Sequence, residues 1–297
     1  MGGKLAAIDT RTRRIAAWDL VTGELVSDRP LWLPRQIWEL SATAKGRLIG
    51  SYARADPDDP DDLYRHVVGI TLTGFREIVY SSLPAWPRPR VRAPNQSAQM
   101  TNYYAVPVGT PASWYAVSPS DEVYITNGIE YVVIALDSDG KQRWVLSVPW
   151  PRSRVSEDEI EAAKQYMREV SAGWLTEVQL NQVNWPDLNP ALSRNRVSTS
   201  NGAALRVDGL GFLYVFPHIP VPWATDERLR PVDVYASHGE ALFGGTIPNA
   251  NWQASHGDSI LAVGLNADSQ EWVASRNRIR WPGELQQLRD EARSRAQ

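Results

Sequence analysis

Apolar and polar residues alternate in short runs along most of this chain, and the runs come in pairs separated by polar turns. Alternation with a period of two marks strands that bury one face. One hairpin recurs four times, at 17–26, 69–78, 134–144 and 232–242. Each copy has an apolar-x-apolar strand, a short polar turn closing on Gly23, Gly74, Gly140 or Gly239, and an outgoing strand. Glycine suits these turns because a tight hairpin needs a residue with positive φ. A second hairpin precedes three of these copies, at 40–49 around Lys45-Gly46, at 114–125 around Ser120-Asp121-Glu122, and at 205–215 around Asp208-Gly209-Leu210-Gly211. Joined, the two hairpins predict a unit of four antiparallel strands.

A third echo supports a true repeat. Trp86-Pro87-Arg88-Pro89-Arg90-Val91 and Trp150-Pro151-Arg152-Ser153-Arg154-Val155 share the pattern Trp-Pro-Arg-x-Arg-Val, and Trp281-Pro282 matches its start. The tryptophans are 64 residues apart and the hairpin glycines Gly74 and Gly140 are 66 apart. Two independent features at nearly equal offset indicate one repeating unit, longer than the about 40–50 residues of a typical propeller blade because its loops carry insertions. Blade-like units are expected at 4–33, 34–82, 100–150, 201–249 and 250–281.

Two segments break the strand pattern. Ser156 followed by Glu159 forms a capping box, and Ile160, Ala163, Tyr166, Met167 and Val170 recur at helical spacing. The spacing predicts a helix over about 157–171, followed by an irregular connection at 174–200. A second helix, over about 283–295, is rich in Glu, Arg and Gln and is expected outside the core. The fold class that follows is all-β, a β-propeller of five to six four-stranded blades over 1–282, with a helical insertion at about 156–200 and a C-terminal helical tail at 283–297.

Composition narrows the chemistry. The 297 residues are 43% hydrophobic and 22% charged, a globular balance. Net charge is −3, whereas nucleic-acid binders carry a basic excess that neutralises phosphates, so no nucleic-acid partner is expected. The absence of cysteine excludes disulfides, thiolate-bound zinc, iron–sulfur clusters and thiol nucleophiles. No run approaches the roughly 20 apolar residues of a membrane span, and residues 1–9 lack the apolar stretch of a signal peptide. The reading is a soluble chain without export signal. Thirteen tryptophans against four phenylalanines suit layered sheets with polar rims, where the indole N–H finds a partner.

The order of features resembles the bacterial six-bladed β-propeller proteins of the NHL-like and TolB-like type. The resemblance rests on the Asp-x-x-Gly inner hairpins, the strand at 14–19 before a Gly turn, the helix opening at 155–160, and 205–209 followed by 231–235. It covers nearly the whole chain through short motifs that specify a fold and carry no reaction. It implies six blades, an export signal and leading strands; the chain instead opens inside a blade at Lys4. A trimmed start, a five-bladed or distorted ring, and an open sheet edge completed by another chain remain as alternatives.

Candidate chemistry is sparse. His66, His218, His238 and His256 are scattered, with no pair at ligand spacing. The run Asp56, Asp58, Asp59, Asp61 and Asp62 is interrupted by Pro57 and Pro60 and lacks the glycine of a calcium loop; Asp137-Ser138-Asp139-Gly140 reads as a hairpin turn. There is no Gly-x-Ser-x-Gly nucleophile elbow and no phosphate-binding loop. No metal site, catalytic residue or cofactor is therefore expected. The binding candidates are Trp86, Arg88, Arg90, Arg92, Trp150, Arg152 and Arg154, an aromatic plane beside cationic forks suited to a partner's carboxylates or phosphates. Arg11, Arg13 and Arg14 form a second positive strip. The expected function is a non-enzymatic binding or scaffold propeller that engages a protein partner or belongs to a larger assembly. The alternative is a lactonase-like, metal-dependent hydrolase whose oxygen ligands, for example Asn127, Asn201, Asp208 and Asp233, would converge on a central channel.

Overall fold

The computed structural model describes residues 4–9, 12, 14–19, 21–30, 38–43, 47–55, 63–71, 77–85, 114–170, 177–181, 185, 187–192, 204–218, 229–248, 252–265, 272–283 and 285–296. Within them the chain forms five antiparallel sheets, each built from strands consecutive in sequence. The first joins β1 (Lys4–Asp9), β2 (Arg14–Asp19) and β3 (Leu25–Pro30). The second holds β4 (Trp38–Ala42), β5 (Arg47–Ala55), β6 (Leu63–Thr71) and β7 (Glu77–Ala85). The third holds β8 (Trp114–Val117), β9 (Val123–Thr126), β10 (Val132–Leu136) and β11 (Gln142–Ser147). The fourth holds β12 (Leu205–Val207), β13 (Leu213–Val215), β14 (Leu229–Tyr235) and β15 (Ala241–Pro248), and the fifth β16 (Trp252–His256), β17 (Ser259–Leu265) and β18 (Trp272–Arg278). These sheets follow the units expected from the hairpin pattern.

The repeat is visible in the turns. Between the first two strands of the second, third and fourth sheets, Thr43, Ser118 and Asp208 occupy one place. Each donates its N–H four residues on, to the carbonyl of Arg47, Glu122 or Phe212, and its side-chain oxygen accepts the N–H of that same residue. A short oxygen-bearing side chain at this place satisfies a turn N–H that the ladder leaves open. The later hairpin repeats as well. Gly23, Gly140 and Gly239 all have positive φ, and the register slips just before each turn, at Ala17/Trp18, Ala135/Leu136 and Val234/Tyr235. The turn around Gly74 lies outside the described residues.

These later turns also join neighbouring sheets. The Trp144 indole N–H donates to the Ser237 carbonyl at 3.0 Å, and its ring lies 3.2 Å from where a Cβ on Gly239 would stand. One sheet earlier, the carbonyl of Ser138, at the same turn position, accepts from the Arg47 guanidinium and from the Tyr80 hydroxyl. Between the polar seats lie apolar clusters. Ile49, Val67 and Tyr80 pack with Tyr115, Val123 and Ile125 between the second and third sheets. Tyr124, Val133 and Ala135 pack with Leu205, Leu213 and Tyr235 between the third and fourth. The inner strands therefore read as continuous buried runs, as in Val123–Thr126, whereas outer β11 alternates.

Helix α1 (Glu157–Val170) starts as its capping box requires: the Ser156 N–H donates to Glu159 Oε2 at 2.9 Å and the Glu159 N–H to Ser156 Oγ at 3.2 Å. The segment expected as an irregular connection contains a short helix, α2 (Glu177–Asn181), with Leu180 fully buried. Further on, Leu188 bridges to Arg154 and Leu192 to Pro217.

The last helix, α3 (Leu285–Ala296), departs from its expected place outside the core. Arg289 has no exposed surface; its Nη1 donates to Asp208 Oδ2 at 2.5 Å and to Tyr214 Oη at 3.1 Å. The Tyr214 hydroxyl donates to the same Asp208 oxygen, and the Trp281 indole N–H donates to Tyr214. Arg289 also lies over the Phe212 and Trp281 rings, at 5.7 and 5.2 Å. A charged residue on a polar helix reads as solvated from the sequence; here a carboxylate and two aromatic faces take the place of water. Farther along α3, Arg293 shares Asp258 Oδ2 with Arg278 of β18.

Arg289→Ala leaves the buried Asp208 charge without its partner, and breaking such a pair costs about 3–5 kcal/mol. Urea unfolding should show that loss, and Asp208→Asn combined with Arg289→Met should recover part of it. Burial opposes ionisation of Asp258, but Arg278 and Arg293 outweigh it and hold the carboxyl below its ordinary value. A depressed folded-state value stabilises above the unfolded carboxylate pKa of about 3.9 and is lost as pH falls through the lower folded value. Asp258→Asn should flatten the acid limb of a plot of Tm against pH and leave the neutral plateau near a constant offset.

Candidate binding surface

After β11 the chain runs extended through Pro149-Trp150-Pro151, and the prolines fix φ there and withdraw donors from pairing. Trp150 is 38% exposed, and its ring packs on Tyr131 with centroids 5.6 Å apart. Tyr131 is buried and donates to Asp233 Oδ2 at 2.6 Å, with the Tyr235 hydroxyl 3.1 Å away. Because Tyr131 precedes β10 while Asp233 and Tyr235 lie in β14, this cluster joins the third sheet to the fourth. Burial, then the bonds to Asp233 and Tyr235, push the Tyr131 phenol well above its ordinary value. Burial raises Tyr235 too, against the bond to Tyr131. Both phenols are thus neutral donors throughout the physiological range. Asp233 is held closely from its other side, since a Cβ on Gly244 would stand 2.8 Å from Oδ1.

Beyond Trp150 the strip is pinned to residues 187–189. Arg152 Nε donates to the Asn189 carbonyl at 2.8 Å, and Arg154 forms an antiparallel bridge with Leu188, itself 38% exposed. The Val155 N–H donates to the Asp187 carbonyl and the Asn189 N–H to the Ser153 carbonyl. Behind this ladder the Asn189 amide donates to Ser153 Oγ and to the Glu159 carboxylate, and His218 Nε2 lies 3.9 Å from Glu159 Oε1. Glu159 and Asn189 are buried, so the capping box fixes the surface strip from below.

The structure therefore brings together Trp150, Arg152 and Arg154 of the sequence-derived candidates. Trp86, Arg88, Arg90 and Arg92 lie outside the described residues. Arg14 of the second strip pairs with Asp28 at 3.0 Å, and Arg11 and Arg13 also lie outside. Sequence reasoning missed Leu188, Asn189 and Tyr131, because the pairing of 152–155 with 187–189 spans about thirty residues of chain without periodic signal. The oxygen ligands considered for a metal have other roles. Asp208 holds Arg289, Asp233 accepts from Tyr131, and Asn127 Oδ1 accepts the Ile129 N–H at 3.0 Å. Asn201 and the run 56–62 lie outside the described residues, as do the side chains of His66 and His256. His238 pairs with Glu240 at an exposed turn. Among the described residues no three of His, Asp and Glu gather as metal ligands, and no helix is long and apolar enough to cross a membrane.

No known family profile matches the chain, and neither does any curated protein sequence. Solved structures of propeller type resemble it at low similarity. Virginiamycin B lyase from Staphylococcus aureus is 11% identical with a TM-score of 0.36, over 95% of this chain and 82% of that one. A DUF4221 family member from Bacteroides vulgatus is 9% identical with a TM-score of 0.43, over 94% and 76%. All these scores lie below 0.5, so the likeness carries no conclusion about chemistry.

Tyr131→Phe removes the short bond that supports Trp150 and leaves Asp233 and Tyr235 short of a partner. A loss of about 1–3 kcal/mol is expected for such a buried group. Denaturant unfolding measures that loss, and near-ultraviolet circular dichroism should report a changed environment for Trp150.

Proposed function

We propose that the sheets are blades of a β-propeller of the kind the repeat pattern resembles, and that the protein is a non-enzymatic binding or scaffold module. Its docking strip for a protein partner comprises Trp150, Arg152, Arg154 and Leu188. The observation that carries this reading is the support beneath Trp150. An exposed tryptophan rests on a buried tyrosine that is tied to a carboxylate of the next sheet.

Tryptophan, tyrosine and arginine are enriched where proteins meet, and a few such residues carry most of the binding energy. Order in the free protein raises affinity, since less side-chain freedom is lost on association. Arg152 is already held by a backbone carbonyl and Arg154 by its bridge to Leu188. The metal-dependent hydrolase has no comparable support, because its described candidate ligands are engaged in turns, an ion pair and a phenol bond.

The test places a photo-crosslinking residue at Leu188 in the full chain, expressed in its native cells. A discrete adduct is expected, and Trp150→Ala with Arg154→Glu should abolish it while the melting curve stays cooperative. A protein that remains a monodisperse monomer and gives no adduct, or an adduct unchanged by the double variant, overturns the proposal.

A further inference from the structure

The open edge of β18 suggests a second interaction surface, distinct from the strip around Trp150. The fifth sheet has three strands where the second, third and fourth have four, and β18 is its last strand. Its pairing with β17 runs unbroken from Ser259↔Arg278 to Leu265↔Trp272. One residue beyond, the Ile279 N–H donates to the Asp258 carbonyl at 2.7 Å, which fixes the phase of the ladder. In an antiparallel pair, hydrogen-bonded and non-hydrogen-bonded positions alternate. Val273, Ser275 and Asn277 therefore turn their backbone groups toward β17, while Ala274, Arg276 and Arg278 turn theirs to the open edge.

Three further observations bear on what fills this edge. All residues from Val273 to Arg278 are exposed, so neither face of β18 is covered. Arg276, Arg278 and Arg280 alternate along it; Arg278 is held by Asp258, whereas no contact of Arg276 or Arg280 is seen with any acidic group. The chain that follows turns away at Pro282 and Gly283 into α3, which the buried Arg289 anchors on the fourth sheet. That segment is thus unable to supply the next strand.

We propose that β18 accepts an extended acidic segment of a partner protein as a fourth, antiparallel or parallel strand. Its main chain pairs with Ala274, Arg276 and Arg278, and its carboxylates, spaced two residues apart, meet Arg276 and Arg280. Backbone pairing supplies the affinity of strand addition and alternate side chains its selectivity. Charged residues on an edge also discourage self-pairing. Here their single sign rejects a second copy of the same strand and favours an acidic one.

The probe is an eight-residue peptide of alternating valine and glutamate, with a valine–lysine peptide as the control. In the free protein, the amides of Ala274, Arg276 and Arg278 should exchange quickly while those of Val273, Ser275 and Asn277 are protected. The acidic peptide should protect the first set, in low salt more than in high salt, and the lysine peptide should not. Arg276→Glu with Arg280→Glu should weaken acidic-peptide binding by about tenfold, since each reversed surface pair is worth up to about 1 kcal/mol. Arg276→Pro should remove binding without touching a bond to β17, which the melting temperature verifies. The proposal is overturned if the three outward amides are already protected in the free protein, which would mean that this chain covers its own edge. Equal protection by both peptides, or by neither, overturns it as well. Both outcomes are independent of the Leu188 crosslink, so the two surfaces stand or fall separately.

Discussion

An antiparallel sheet of three or four short strands cannot bury its own faces, and every other feature of this molecule follows from that constraint. Isolated small sheets are marginal in water. Stability arises only where the next sheet in the chain covers the exposed face. The clusters around Ile49 and Tyr115, around Tyr124 and Leu213, and around Tyr214 and Trp281 are these covers. Burial removes apolar area from water at roughly 25 cal/mol per Å², without direction. Direction comes from polar seats at fixed places. The carbonyls of Ser138 and Ser237, two residues before the turn glycines, each accept from the sheet before them. Apolar cover brings the sheets together, and these bonds set how one sits on the next.

The same logic explains why the buried polar groups are concentrated at sheet junctions. Tyr131, Asp233 and Tyr235 lie between the third and fourth sheets, and Asp208, Tyr214 and Arg289 where α3 meets the fourth. A half-satisfied buried network is worse than an apolar one. Arg289 is the extreme case: it supplies charge to Asp208 and a flat cation to two rings, while its Nε and Nη2 have no hydrogen-bond partner among the described residues. Such an arrangement holds one helix in one place more than it adds to net stability.

Strand pairs, turn glycines and the capping box were legible in the sequence because each is a local pattern. A period of two, a residue with positive φ and a Ser-x-x-Glu spacing act over a few residues. Helix α1 begins where Ser156 and Glu159 say it should, and the repeated hairpins fall on three of the four predicted glycines within the described residues. What remained hidden was long-range. Nothing near Asn189 announces that it will meet Ser153 and Glu159, and nothing near Arg289 announces Asp208, 81 residues away. The binding strip was half legible for the same reason. Its Trp-Pro-Arg-x-Arg half is a motif, while its Leu188 half is a consequence of folding.

The two ends of the sheet series are therefore physically different from its middle. A middle sheet has a neighbour on each face and four strands in its ladder. The fifth sheet gives one face to the fourth through Trp252 and Tyr214, whose rings meet at 5.1 Å. The following chain is spent on α3, which packs Trp281 and Arg289 against the fourth sheet instead of extending the fifth. Unpaired backbone at the β18 edge is the consequence, and arginines at alternate positions keep that edge from pairing with its own kind. An edge so guarded is selective: it admits a strand of opposite charge and excludes the rest.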